Sequence, residues 1–291
     1  MEKIVAVVVT YNRKELLQKC IQSLLVQSEV CDILIINNNS VDGTEHMLKN
    51  FSDYERVITY NMSENLGGAG GFNYGIKKAL ELQYDYMWLM DDDCIPYMDA
   101  LESLLAADKI FNGDYGWLSS RVEWTDGSLC KMNIPKTVII NGPKIQRAVQ
   151  ATFVSLFIKS EVVREVGLPI ADFYIWGDDV EYTRRITKRF HKTGYWVQTS
   201  TVSHEMAVNK GSNIAIDTVK RLPRYVYAFR NEYYLYKQEG VCGRFYYHLK
   251  VVYNLLKVLL LAKDHKRDRI NMILQGYQEG RRFNPSVEQV I

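Results

Sequence analysis

The first 110 residues alternate between short, continuously apolar runs and segments whose apolar residues recur at every third or fourth position. Short apolar runs are typical of strands buried on both faces, and the wider spacing is typical of amphipathic helices. The pattern predicts helices over residues 14–27 and about 71–82. It predicts four strands, at residues 4–9, 33–36, 56–60 and 86–90. Because strands and helices alternate with short loops, we expect an α/β fold with a parallel, doubly wound sheet.

The pattern changes after about residue 110. Residues 115–160 have the character of shorter strands and turns, with a hairpin expected at residues 125–128. A helix is expected near 178–190, and a strand near 195–203 directly before His204. From about residue 218 onward the sequence predicts helices.

Polar residues follow three of the four predicted strands. They are Thr10, Tyr11, Asn12 and Arg13 after the first strand, Asn37, Asn38 and Asn39 after the second, and Asp91, Asp92 and Asp93 after the fourth. Ligands of open α/β sheets bind beyond the carboxyl ends of the strands. We therefore expect the three clusters to meet at one edge of the sheet.

The three consecutive aspartates carry the strongest chemical signal. Adjacent carboxylates beside a buried strand repel one another, and this costs free energy unless a cation compensates. Oxygen ligands suit a hard divalent ion such as Mg²⁺ or Mn²⁺, which completes its shell with substrate phosphates. The alternative is an acidic turn that caps the next helix. Three aspartates in succession favour the metal site.

Two further segments carry candidate chemistry. Trp176 and Gly177 precede Asp178 and Asp179 at a helix start. These carboxylates can supply a general base and a partner for a polar substrate, or only an N-cap and an acidic first turn. His204 can fill a metal position that the aspartates leave open, or be structural.

A glycine-rich run begins after Asn65 and includes Gly70 and Gly71. It matches neither G-x-G-x-x-G nor the P-loop, which argues against a dinucleotide enzyme and a P-loop NTPase. Glycines at a helix start allow a ligand to approach closely, with backbone N–H groups facing an anion. The alternative is a plain loop before a helix.

Composition and charge narrow the protein class. The 291 residues are 47% apolar and carry a net charge of +2, as expected of a globular chain with a sizeable core. Residues 244–282 hold nine Lys and Arg against three Asp and Glu, so the basic charge is concentrated near the C-terminus rather than spread as in a nucleic-acid-binding domain. The five widely spaced cysteines form no C-x-x-C pair and indicate reduced thiols of a cytoplasmic protein. The first apolar run has six residues, too few for a signal peptide.

Taken in series, these motifs resemble family 2 glycosyltransferases of the GT-A fold. The matching segments are residues 9–13, 35–44, 65–71, 91–93, 166–169 and 176–182. They cover about residues 3–205. The resemblance implies a GT-A catalytic domain over residues 1–215, with a nucleotide-sugar half at about 1–110 and an acceptor half at about 111–215. Residues 216–291 are then a helical C-terminal extension.

The resemblance also implies roles for individual residues. Enzymes of this family move a sugar from a nucleotide diphosphate to an acceptor hydroxyl with inversion. Asp179 would be the catalytic base, and Asp91, Asp93 and His204 would hold Mn²⁺ or Mg²⁺. Trp176 and Asp178 would contact the acceptor or the sugar. The nucleotide sugar would be bound by Thr10, Tyr11, Asn12, Arg13, Asn37, Asn38, Asn39, Asn65, Gly70, Gly71, Asp91 and Asp92.

Within the family, the triple Asp, the glycine run and the downstream His are most similar to galactofuranosyltransferases, which use UDP-galactofuranose. Rhamnosyltransferases that use dTDP-rhamnose are the second candidate. Many relatives carry Asp-Asn where this chain has Asn37 and Asn38, so the base of the nucleotide stays open. A nucleotidyltransferase and a silent sugar-nucleotide-binding module are the alternatives from other classes.

The C-terminal region has two possible partners. Residues 249–262 are strongly apolar but include Lys250 and Lys257, and the stretch is too short to span a membrane. It is expected either to bind an anionic membrane surface or to pack on the catalytic domain or a second subunit. The acceptor implied by the resemblance is a glycan or lipid-linked glycan of cell-surface polysaccharide synthesis. We expect a cytoplasmic protein that is peripheral on the inner face of the cell membrane.

Overall fold

The computed structural model describes residues 2–136 and 138–290, and nine strands within them form one sheet. Its strand order is β3-β2-β1-β4-β8-β6-β9-β5, with β7 paired to β9. The strands are β1 Ile4–Thr10, β2 Asp32–Asn37, β3 Val57–Asn61, β4 Tyr86–Asp91, β5 Cys94–Pro96, β6 Trp117–Trp124, β7 Ile145–Ala148, β8 Leu156–Lys159 and β9 Gly194–His204.

The helices are α1 Lys14–Leu25, α2 Thr44–Leu48, α3 Gly67–Glu81, α4 Ala100–Phe111, α5 Ser160–Val166, α6 Asp178–Arg184, α7 Arg224–Lys237, α8 Gly240–Leu261 and α9 Lys266–Arg282. Helix α6 continues as a π-helical turn, Arg185–Arg189. No helix within the described ranges combines the length and the apolar character needed to cross a bilayer.

The described residues divide into two units. The first comprises residues 2–136, 138–171, 179–210 and 287–290 and contains the sheet. The second comprises residues 172–178 and 211–286 and contains α7, α8 and α9.

Strand β1 lies at the centre of the parallel part of the sheet. It pairs in parallel with β2 and β4, and β2 pairs in parallel with β3. The register places Thr10 beside Asn37 and Val9 beside Asp91, so the polar ends of the three strands lie at one edge. These strands confirm the α/β prediction, and the helices from residue 224 onward confirm the helical extension.

Beyond β4 the sheet is mixed. Strand β8 is antiparallel to β4 and β6, β9 is parallel to β6, and β5 and β7 are antiparallel to β9. The predicted hairpin at residues 125–128 is confirmed, since Trp124 N–H donates to the Ser128 carbonyl at 2.7 Å.

The sheet has a core on each face because side chains alternate along β1. Ala6 and Val8 pack with α1 and α4, whereas Val5 and Val7 pack with α3 and α5. All four side chains are fully buried. This burial on both faces explains why the sequence of β1 is an unbroken apolar run.

The second unit is built around aromatic side chains. Tyr225, Phe229, Tyr247 and Ile273 form its buried centre, and Tyr247 Oη donates to the Phe229 carbonyl at 2.6 Å. Helix α9 approaches α7 closely at Gly276, where an added Cβ would lie 2.5 Å from the carbonyl oxygen of Val226. Much of the tyrosine-rich sequence therefore serves helix packing.

Candidate active site

The carboxyl end of β4 and the last residue of β9 form a cluster of potential metal ligands. One ligand atom from each of Asp91, Asp93 and His204 lies within 4.8 Å of the others. The short strand β5 produces this arrangement, because its pairing with β9 places Cys94 opposite His204. The Asp93 carbonyl also accepts the backbone N–H of Glu205 at 2.8 Å.

Asp93 shows that a cation fits this cluster. Its carboxylate is buried, its Oδ2 accepts from Arg13, and its Oδ1 lies 3.1 Å from His204 Nε2. This contact is an ion pair outside hydrogen-bond geometry, so Oδ1 has a charged neighbour in His204 but no hydrogen-bond donor within the described residues. A buried carboxylate oxygen without a donor, beside an imidazole nitrogen, matches the ligands of a divalent cation.

Asp92 fixes the loop that follows β1. Its Oδ2 accepts from Thr10 Oγ1 at 2.7 Å and from the backbone N–H of Tyr11 at 3.4 Å, and its Oδ1 accepts from Arg13 Nη1 at 3.2 Å. The structure thus brings two of the predicted clusters, residues 10–13 and 91–93, into direct contact.

The three carboxylates titrate differently because their surroundings differ. Burial raises the pKa of Asp91, and the neighbouring aspartates raise it further. Burial also raises the pKa of Asp92, to about 6. Burial favours a higher pKa for Asp93 as well, but His204 and Arg13 outweigh it and lower that pKa.

His204 supplies positive charge to the cluster. Burial favours a lower pKa for its imidazole, but Asp93 outweighs this and raises the pKa to about 10. The imidazolium and the Arg13 guanidinium together compensate the buried carboxylates. A divalent cation can supply the same compensation.

Asn133 is a site residue that the sequence did not reveal. Its Oδ1 lies 3.1 Å from His204 Nδ1 and accepts from Cys130 Sγ at 2.8 Å, while its Nδ2 donates to Thr152 Oγ1 at 2.8 Å. A hydrogen bond at Nδ1 orients the ring and leaves Nε2 facing Asp93. Asn133 is 71 residues away from His204 along the chain, and no motif marks it.

The turn after β2 is held by its own amide side chains. Asn37 Nδ2 donates to Asn61 Oδ1 at 2.8 Å, and Asn37 Oδ1 accepts from the Ser40 N–H at 3.2 Å. Asn38 Nδ2 donates to the Gly67 carbonyl at 2.7 Å, and its Oδ1 accepts from the Leu66 N–H at 3.2 Å. Both side chains are buried and join the turn to its surroundings.

The exposed side chains of this edge come from the tips of the loops. Tyr11, Asn12, Arg13 and Asn39 are exposed, and Asn12 and Asn39 have left-handed backbones, with φ of 55° and 60°. Asn12 Oδ1 accepts from the Val41 N–H at 2.8 Å, which ties the two loops together. The nucleotide-binding role of these residues stays a prediction.

The glycine run forms the first turns of α3, which begins at Gly67, four residues before the predicted start. An added Cβ would lie 2.6 Å from Leu66 Cβ at Gly70 and 2.5 Å from Val9 Cγ1 at Gly71. Close packing therefore requires both glycines, whether or not a ligand approaches them. Asn65 Oδ1 accepts from the Gly67 N–H at 2.8 Å and stabilises the entry to the helix.

Asp179 lies in the first turn of α6, where its Oδ1 accepts from the Val180 N–H at 2.7 Å. Burial raises its pKa to about 6. A carboxylate with such a pKa is ionised at neutral pH and accepts a proton more readily than an exposed aspartate. Asp179 is therefore suited to act as a general base.

The segment before Asp178 has an unusual backbone. Tyr174, Trp176 and Gly177 have φ angles of 61°, 65° and 92°. Left-handed conformations of bulky residues cost free energy and persist only where other contacts hold them. The buried Asn231 of α7 holds the segment, since its Nδ2 lies within 3.1 Å of the carbonyl oxygens of Phe173, Ile175 and Trp176.

Trp176 is also packed within the second unit. Its ring lies edge-on to Tyr225, with 5.3 Å between centroids, and the Arg221 guanidinium lies 5.5 Å from its centroid. Asp178 is buried. The predicted acceptor-binding roles of Trp176 and Asp178 are proposals. Asn231, like Asn133, is a buried amide that also contacts a residue far away in the sequence.

Comparisons with known proteins agree with this fold. Residues 5–113 match the family described as Glycosyl transferase family 2. The chain is 28% identical over 199 residues to galactofuranosyltransferase GlfT1 of Mycobacterium tuberculosis, which covers 64% of this chain and 65% of GlfT1. The alignment thus spans just under two thirds of that relative's length.

Two crystal structures have a similar fold. TarS 1–349 of S. aureus has a TM-score of 0.55 at 12% identity, covering 94% of this chain and 71% of that chain. GalNAc-T7, solved with UDP, GalNAc and Mn²⁺, has a TM-score of 0.60 at 15% identity, covering 83% of this chain and 51% of that chain. Residues 5–113 therefore match a glycosyl transferase family 2 domain and the chain has the GT-A fold, which confirms the resemblance drawn from its motifs.

Proposed function

We propose that the protein is an inverting, metal-dependent glycosyltransferase that moves galactofuranose from UDP-galactofuranose to a hydroxyl of a glycan or lipid-linked glycan. The observation that carries the proposal is the cluster of Asp91, Asp93 and His204, with its buried Asp93 oxygen that lacks a hydrogen-bond donor. The cluster lies at the carboxyl edge of the sheet, where α/β folds bind ligands.

In the proposed mechanism, Asp91, Asp93 and His204 would hold Mn²⁺ or Mg²⁺. A cation held there would supply positive charge for the diphosphate leaving group. Arg13, which contacts Asp92 and Asp93, places a second positive charge beside the same position. The residues of the loop after β1 and of the turn after β2 would contact the nucleotide.

Asp179 would take the proton from the acceptor hydroxyl. As that proton leaves, the acceptor oxygen forms a bond to the anomeric carbon, and the bond from that carbon to the diphosphate oxygen breaks. A single displacement inverts the anomeric centre and requires no covalent intermediate on the protein. The raised pKa of Asp179 matches the task of a base at neutral pH.

The choice of galactofuranose rests on the relative and on the motif. GlfT1 is named a galactofuranosyltransferase. The group of Asp91, Asp93 and His204 carries the Asp-x-Asp pair and downstream His on which the motif resemblance to that group rests. A rhamnosyltransferase that uses dTDP-rhamnose is the second candidate, because the engaged amides of Asn37 and Asn38 do not decide between uracil and thymine. We place the protein on the inner face of the cell membrane.

A thermal-shift panel tests this function. UDP-galactofuranose with Mn²⁺ is expected to raise the melting temperature, because a ligand of the folded state stabilises it by mass action. UDP-galactofuranose without Mn²⁺, and UDP-N-acetylglucosamine with Mn²⁺, are the controls and should give smaller shifts. A larger shift with dTDP-rhamnose would select the second candidate. If no nucleotide sugar shifts the melting temperature, the proposed function is wrong.

Asn231 provides a second prediction. Asn231→Leu removes the amide donor of the Ile175 and Trp176 carbonyls, at a cost of about 1–3 kcal/mol in unfolding free energy per unpaired group at most. The Phe173 carbonyl still accepts from the Ile175 N–H at 2.7 Å and from Arg230 Nη2 at 3.1 Å. Because Asp179 follows this segment directly, we expect kcat to fall roughly tenfold to a hundredfold while the donor KM stays unchanged.

The matched control is Asn254→Leu, which removes an amide whose one hydrogen bond among the described residues goes to the Lys250 carbonyl of its own helix. That variant should keep the wild-type kcat. Steady-state kinetics on both folded variants measure the difference. An unchanged kcat in Asn231→Leu would show that the amide has no influence on the base.

A further inference from the structure

Helix α8 has an apolar face that no other part of the described chain covers. One side of the helix is buried through Tyr247, Val251 and Val258. The opposite side includes six large apolar residues that are each at least half exposed and that we call the α8 outer face, Phe245, Leu249, Val252, Leu256, Leu259 and Leu260.

The α8 outer face is a continuous stripe. From Phe245 to Leu259 its members follow one another at intervals of four and three residues, which keeps them on one side of a helix. The stripe is about 21 Å long at 1.5 Å per residue. Exposed Tyr246 and Tyr253 border it. Contiguous apolar patches of this kind on a protein surface mark interaction sites.

The charged residues of α8 itself are of one sign. Helix α8 contains no Asp or Glu over its 22 residues. At 100° per residue, Lys250 and Lys257 lie at one margin of the stripe, and Arg244 and His248 lie at the other. Lys250 is paired with Glu232, whereas Lys257 Nζ lies 5.7 Å from the centroid of the Tyr253 ring.

More basic residues follow the end of the helix. Lys263, Lys266 and Arg267 are all exposed. The acidic residues of this segment are already paired, Asp264 with Arg269 and Asp268 with His265. The apolar stripe therefore runs toward a group of exposed cations.

We propose that the α8 outer face lies in the surface of an anionic lipid bilayer, with the helix parallel to the membrane plane. An apolar stripe bordered by aromatic and basic residues is what such an interface binds. Anionic headgroups complement the basic margins. A second copy of α8 would instead bring like charges together, because the helix offers no carboxylate to pair with them. The inference stands independently of the proposed catalytic function.

Co-sedimentation of the full chain with vesicles tests the proposal. We expect binding to vesicles of phosphatidylcholine with phosphatidylglycerol, weaker binding at high salt, and little binding to phosphatidylcholine alone. Leu249→Ser combined with Leu256→Ser should weaken binding at least tenfold, roughly the effect of withdrawing two half-exposed leucines. Lys263→Glu combined with Lys266→Glu should weaken it about fivefold or more for each residue.

The matched control is Val30→Ser combined with Ile110→Ser, which removes two apolar side chains that are 66% and 67% exposed outside the second unit. It should bind vesicles as the wild type does. Full binding by the leucine variant would overturn the proposal. The proposal would also be overturned if the wild type did not bind anionic vesicles but formed a dimer, and the two leucine substitutions abolished that dimer. No donor is present in this assay, so its failure leaves the proposed glycosyl transfer untouched.

Discussion

Asp179→Asn is expected to lower the rate of sugar transfer by about a thousandfold, within the range that general-base catalysis contributes. The amide keeps the shape of the carboxylate and can still accept the Val180 N–H. It cannot take a proton from the acceptor hydroxyl. Binding of the donor and the divalent cation should survive, because the Asp91, Asp93 and His204 cluster is unchanged. Initial rates and thermal shifts with donor and Mn²⁺ measure the two effects separately.

The pH profile gives this prediction a second readout. The pKa of Asp179 is raised to about 6, so the base is ionised above that pH and protonated below it. The wild-type rate should therefore fall about tenfold for each pH unit below 6, and the residual rate of the variant should lack this slope. Asp126→Asn, the same change in an exposed turn, should keep the wild-type rate and profile. Normal turnover by Asp179→Asn would remove Asp179 from the role of base.

Asp93→Ala and His204→Ala are each expected to weaken Mn²⁺ binding about a hundredfold. Each substitution removes one of three protein ligands from the cluster. The loss of Asp93 also removes the buried oxygen that lacks a hydrogen-bond donor. The loss of a residue that supports a metal ligand weakens metal affinity about tenfold to hundredfold. The loss of a direct ligand should therefore weaken Mn²⁺ affinity by at least the upper end of that range. Electron paramagnetic resonance of free Mn²⁺ measures the affinity without any turnover.

Glu205→Ala is the matched control for both variants. Glu205 follows His204 directly, but its carboxylate pairs with Lys19 at 2.8 Å instead of facing the cluster. Its Mn²⁺ affinity should equal that of the wild type. An unchanged Mn²⁺ titration for His204→Ala would make His204 a structural residue and would leave the aspartates as the metal ligands.

The parts of the fold that were predictable are those with local signals. β1, β2 and β4 are buried at every position except one end residue each, so their apolar runs identify them. Since parallel strands end at a common edge, the positions of Asp91 and Thr10 at strand ends were sufficient to place them together. The structure confirms that the two strand ends meet, because Asp92 Oδ2 accepts a hydrogen bond from Thr10 Oγ1.

The remaining parts depend on long-range contacts. β8 is a four-residue strand between β4 and β6, and nothing in so short a run reveals that it is antiparallel to both. Asn133 and Asn231 each act through a buried amide, which reaches His204 from 71 residues away and the Phe173 carbonyl from 58 residues away. A single Asn creates no periodic pattern and no motif spacing in the sequence, so only the folded structure identifies these two residues. His204 was a candidate metal ligand from its place after a strand, and the family resemblance strengthened that prediction.

The most direct test of the central claim is transfer from UDP-galactofuranose to a set of octyl glycosides. The reaction is run with Mn²⁺, after Mn²⁺ is chelated, and after it is added back. NMR then gives the configuration of the product's anomeric centre. We predict a product of inverted configuration, no product after chelation, and recovery of the rate when Mn²⁺ is added back. Transfer that continues in excess chelator, or a product of retained configuration, would contradict the account.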